Sequence, residues 1–108
     1  LSPKRLVARA HLGIGRALER RGKMKEAESE LRSAIEMFTL ALPPNAKNLA
    51  EAETFLADNF ILQKRYAESE VVLLRARERL HSASTDSSDE IKRVNESLAR
   101  LSTVWKNK

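Results

Sequence analysis

A chain of 108 residues, 42% apolar and 32% charged, has the size and balance of one ordinary globular domain, and 5% aromatic content leaves it an aliphatic core. It contains no cysteine, which excludes disulfides, thiolate nucleophiles and cysteine metal sites. No run of about 18 apolar residues and no signal-peptide pattern occurs, so neither a membrane span nor an export signal is written in it. The net charge of +5 is unevenly spread. Residues 1 to 25 hold eight basic groups (Lys4, Arg5, Arg9, Arg16, Arg20, Arg21, Lys23, Lys25) against Glu19, whereas residues 26 to 63 hold seven acids against Arg32 and Lys47.

The first predicted element runs over 3–21, opening after Ser2-Pro3, with Val7, Ala10, Ile14 and Leu18 on one helical face. Gly22 closes it. The second covers 24–41, with Leu31, Ala34, Ile35 and Phe38 on one face, and stops at Pro43-Pro44-Asn45. The third covers 45–63 through Leu49, Ala52, Leu56 and Phe60, and the fourth covers 66–82 through Tyr66, Leu73, Ala76 and Leu80. The polar stretch His81 to Asp89 follows; its side chains compete with helix hydrogen bonds, and Ser87 with Glu90 fits a capping box. The last helix spans 87–105 through Ile91, Val94, Leu98 and Leu101. Strict alternation over a strand length is absent, so the chain is expected to be all-α.

A shift of 42 residues lays the first helix on the third and the second on the fourth. Ala8/Ala50, Ala10/Ala52, Glu26/Glu68, Glu28/Glu70, Leu31/Leu73, Ala34/Ala76 and Glu36/Glu78 are identical pairs. A second shift reaches the last helix: Val7/Leu49/Ile91, Ala10/Ala52/Val94, Ile14/Leu56/Leu98 and Gly15/Ala57/Ala99 keep their type without gaps.

These positions resemble the tetratricopeptide repeat. The roles of large and small residues in its helical hairpin fall on Ile14, Gly15, Leu18, Gly22, Met24, Ala27, Leu31 and Ala34. They fall again on Leu56, Ala57, Phe60, Lys64, Tyr66, Ser69, Leu73 and Ala76. Small residues let two helices touch, and large ones fill the space around the contact. His11 and Glu53 stand where the family has a tryptophan, and Lys64 replaces the turn glycine. The long period and the Pro-Pro-Asn linker look like the kinesin-light-chain variety, which also occurs at the C-terminal ends of bacterial multidomain signalling proteins.

The resemblance implies a right-handed α-α superhelix: repeat 1 over 3–42, repeat 2 over 45–83 and a terminal helix over 87–105. That last helix, with Val104 and Trp105, is expected to cap the stack or to await its own partner helix. The start at Leu1 suggests a piece of a longer protein. The expected role is a non-enzymatic adaptor or scaffold, cytoplasmic, without cofactor or metal. The resemblance places Arg9, Leu12, Arg16, Glu19 and Arg20 in a concave groove, joined by Glu51, Thr54, Asp58, Ile61 and Leu62 and by Arg93, Glu96, Arg100 and Val104. The arginines suit an acidic or carboxylate-bearing peptide. The family's carboxylate clamp has lysine and asparagine where this chain has Leu12 and Arg16.

Other sites are weaker. His11 and His81 lie on different repeats with no converging ligands. Glu26, Glu28, Glu30 and Glu36 read as a solvated helix face, and Gly13-Ile14-Gly15 lacks the strand a phosphate loop needs. Nucleic acid is disfavoured as a partner, because aromatic residues are few and the middle is acidic. Self-association remains as an alternative, suggested by the apolar run Val71-Val72-Leu73-Leu74.

Overall fold

A computed structural model describes residues 3–83 and 86–106, so Ser84 and Thr85 of the second linker lie outside the described residues. Five helices and no strand occur among them: α1 (Pro3–Arg20), α2 (Met24–Ala41), α3 (Lys47–Leu62), α4 (Tyr66–His81) and α5 (Ser88–Lys106). None is long and apolar enough to cross a membrane. The local reasons are those in the sequence. Pro3 opens α1 at a position where its missing N–H costs nothing. Leu42, held extended before Pro43, ends α2.

Chain neighbours pack antiparallel. Ala8 meets Phe38 while Gly15 meets Leu31 and Ala27, so α1 and α2 run in opposite directions. Ser69 Oγ donates to the Ala57 carbonyl, and Arg79 near the end of α4 reaches back to Glu53, one turn before Ala57 in α3. Tyr66 and Trp105 lie with ring centroids 6.1 Å apart, which pairs the start of α4 with the end of α5. Alternate helices run parallel: Asn59 of α3 donates to Glu19 of α1, and Arg93 and Arg100 of α5 reach Glu51 and Asp58 of α3. Adjacent helices thus pack closely in chain order, with α1, α3 and α5 aligned.

The ends of α1 and α3 repeat as well. At the end of α1, Lys23 N–H donates to the Leu18 carbonyl and Gly22 N–H to that of Glu19; at the end of α3, Arg65 N–H donates to Phe60 and Lys64 N–H to Ile61. Both are Schellman turns with a left-handed residue, Gly22 or Lys64. In the second, the Arg65 guanidinium lies 4.4 Å from the Phe60 ring centre and closes the turn.

The main core gathers Leu31, Leu56, Phe60, Leu73, Leu80, Val94 and Leu101, and a second cluster joins Ala8, Phe38, Leu49 and Ala52. Burying a side chain such as Phe38 or Phe60 contributes about 1.5–3 kcal/mol. Gly15 is a contact point: a Cβ there would stand 3.0 Å from the Leu31 side chain and 3.3 Å from the Ala27 carbonyl.

Several expectations fail. Val7, Ala10 and Ile14 form a stripe, yet that stripe of α1 is exposed, and its buried residues are Ala8 and Gly15. Nothing described packs on that side of the first helix. Glu28 belongs to no solvated face; it is buried and accepts bonds from Arg32, Arg65 and Gln63. Ser87 makes no capping box, because its hydroxyl donates to the Leu80 carbonyl, while Asp86 accepts from the Ser88 N–H and hydroxyl. The Val71–Leu74 run, by contrast, does exceed one core face: Val72 and Leu73 enter the core and Val71 and Leu74 stay outside.

Candidate functional site

Alignment of α1, α3 and α5 brings together on one side the residues at matching positions of each helix. Arg93 Nη1 lies 3.3 Å from Glu51 Oε2, and Arg100 Nη2 lies 2.8 Å from Asp58 Oδ1, which also accepts from Ser97 Oγ at 2.8 Å. Each ion pair joins residues one 42-residue period apart. The acids of α3 thereby occupy the arginines of α5.

One period earlier the same positions hold Arg9 and Arg16, basic like their α5 counterparts. Among the described residues, no carboxylate oxygen stands within 4.0 Å of the guanidinium nitrogens of Arg9, Arg16 or Arg20. Arg16 lies instead over the Phe55 ring, 4.3 Å from its centre, and Arg93 approaches the same ring at 5.2 Å. Each such contact contributes about 0.5–1 kcal/mol at a solvated site. A depression of about 400 Å³ opens here, lined by Arg9, Leu12, Arg16, Glu51 and Phe55. Below it, burial pushes the Glu19 carboxyl above its usual range; the Asn59 hydrogen bond opposes that shift and the Asp58 charge adds to it.

The eight residues expected to line a groove therefore divide. Arg9, Leu12, Arg16 and Arg20 lie along one side of α1, with Leu12 half-buried against the core. Asp58, Arg93 and Arg100 share the surface but are paired among themselves. Ile61 is no groove residue. It stands one turn beyond Ala57, on the stripe of α3 that enters the core, and is buried there. Thr54 is buried likewise, its hydroxyl turned to the Ala50 carbonyl. Phe55, which the residue pattern did not single out, is the apolar floor of the depression. Its repeat counterpart is Gly13, so the ring fills space that the first repeat leaves open.

Two polar clusters tie the helices together behind this surface. Arg79 clasps the buried Glu53 through Nε at 2.8 Å and Nη2 at 3.2 Å and donates to the Pro44 carbonyl at 2.7 Å. Asn45 Nδ2 donates to the Ser82 carbonyl and Lys47 Nζ to that of Asp86, so the linker between repeats is pinned to the end of the second. At the opposite end, burial disfavours ionised Glu28. The bonds from Gln63, Arg65 and Arg32 outweigh it and hold that carboxyl down at about 2.

His11 bonds Glu30 at 2.7 Å, His81 is exposed, and among the described residues no three His, Asp or Glu side chains converge as a metal would need. No protein-family model matches the chain, and no curated protein matches it in sequence.

Proposed function

We propose that the chain is a non-enzymatic interaction scaffold of tetratricopeptide type, a right-handed superhelix of two hairpins and a terminal helix that holds an acidic peptide on the α1/α3/α5 side. The observation that carries this reading is the contrast between arginines at matching positions. Arg93 and Arg100 have Glu51 and Asp58, while Arg9, Arg16 and Arg20 have no carboxylate oxygen within 4.0 Å among the described residues, and Arg16 lies over Phe55. A peptide carboxylate would supply the missing partner by charge-assisted, fork-like hydrogen bonds, and an apolar side chain next to it would rest on Phe55. The family resemblance adds the setting: an adaptor within a larger cytoplasmic protein of bacterial signalling.

Calorimetric titration with a peptide alternating glutamate and leucine tests it. The double variant Arg16→Glu, Arg20→Glu should keep its circular dichroism and lose at least about tenfold in affinity, which is about 1.4 kcal/mol. Equal affinity in parent and variant removes the reading. The exposed Val71 and Leu74 on α4 favour a second one, self-association through that helix, which sedimentation of Leu74→Asp against the parent decides.

A further inference from the structure

Along the α1/α3/α5 side the charges do not balance. Glu51 and Asp58 of α3 are each answered by an arginine of α5, at 3.3 and 2.8 Å. On α1, Arg20 offsets its neighbour Glu19, whose carboxylate is turned to the Asn59 amide. Arg9 and Arg16 are left over, a surplus of two positive charges, and both line one depression of about 400 Å³ with Leu12, Asn48 and Phe55. They stand two turns apart on one stripe of α1, about 10 Å along the axis, a gap that two long side chains can close from its two ends. Arg16 is seated over the Phe55 ring, 4.3 Å from its centre, which holds the cation at the depression without giving its N–H groups an anionic partner.

We propose, resting on the reading of this side as an acidic-peptide site, that the depression takes the phosphoryl group of a phosphoserine or phosphothreonine in that peptide. A carboxylate has two oxygens, which one guanidinium fork fills, and its single charge answers only half of the surplus. A phosphate monoester has three acceptor oxygens and about −1.5 to −2 charge at pH 7, so it can accept from Arg9 and Arg16 together. Two glutamates seated in the same depression would instead bring like charges together. The source of the phosphate is a peptide, because Leu12 and Phe55, both half-buried, give the ligand's neighbouring side chains an apolar surface to rest on. A nucleic-acid strand carries one charge on each phosphate, and Glu51 and Asp58 would face the phosphates beyond the first.

Calorimetric titration of the 108-residue chain compares three leucine-flanked peptides that differ at one central position, which is phosphoserine, glutamate or serine. The phosphoserine peptide should bind at least about tenfold tighter than the glutamate peptide, and the serine peptide most weakly. Arg9→Gln changes an exposed side chain, so it should keep the parent's circular dichroism while the advantage of phosphoserine over glutamate disappears. Lys25→Gln removes one exposed charge on α2, away from the depression, and should leave the three affinities as they are. The proposal is overturned if glutamate binds as tightly as phosphoserine, a result that leaves the acidic-peptide reading standing; if none of the three peptides binds, both fall. It is equally overturned if Arg9→Gln keeps the advantage, or if Lys25→Gln weakens binding as much as Arg9→Gln does, which is attraction to net charge alone. Inorganic phosphate or oligothymidylate binding as tightly as the phosphopeptide would assign the site to a free anion or to nucleic acid instead.

Discussion

Lys64 occupies the left-handed backbone corner that Gly22 occupies one repeat earlier, with φ of 63° against 79°. A side chain at such a position costs roughly 1–2 kcal/mol, and glycine does not bear that cost. Lys64→Gly should therefore stabilise the chain by about 1 kcal/mol and raise the melting temperature by roughly 4–8 °C. Gly22→Ala should lower it by a similar amount. Thermal denaturation of the two variants beside the parent checks both signs.

Ala27 is fully buried where α2 meets Gly15 of α1. Ala27→Glu places an unpaired carboxylate in that contact and should cost several kcal/mol, enough to unfold a domain of this size. A cooperative melt within a few degrees of the parent would contradict the packing described.

Glu28 links α2 to the end of α3 through Arg65 and Gln63. Its carboxyl ionises at about 2 in the folded chain and near its ordinary 4.5 when unfolded. A depressed acid contributes its full stabilisation above pH 4.5, and that contribution disappears as the pH falls from 4.5 to 2. Glu28→Gln should lower stability at pH 7 by roughly 1–3 kcal/mol and flatten the acid limb between those values. Urea melts of both chains at pH 7, 4.5 and 3 measure the difference.

Glu53 is buried and depends on Arg79. Arg79→Met leaves the charge without its close partner and should cost about 3–5 kcal/mol, whereas Glu53→Leu combined with Arg79→Met should recover most of the loss. Denaturant unfolding of the single and double variants gives the coupling directly.

The helices were legible because their ends are chemically marked: Pro3, Gly22 and Pro43 stop or start backbone hydrogen bonding wherever they stand. The parallel alignment of α1 with α3 and of α3 with α5 agrees with the 42-residue period, since positions one period apart do meet at Glu51/Arg93 and Asp58/Arg100. Periodicity does not say which stripe faces inward. In α1 the bulkier stripe, Val7 and Ile14, lies outside, and the small stripe, Ala8 and Gly15, is inside because only it lets α2 approach. Nor does local pattern reveal the buried state of Glu28 and Glu53. Their partners Arg65 and Arg79 are supplied by the α3–α4 turn and by α4, 37 and 26 residues away. The same reason hid Phe55: its position between Arg16 and Arg93 depends on three helices at once.

The most direct measurement on the binding account is amide-resonance mapping of the glutamate-leucine peptide on the intact chain at low and high salt. The account predicts saturable shifts at Arg9, Leu12, Arg16, Arg20 and Phe55 that weaken as salt rises. Shifts centred on Arg93 and Arg100 would contradict it, as would binding indifferent to salt or no binding at all.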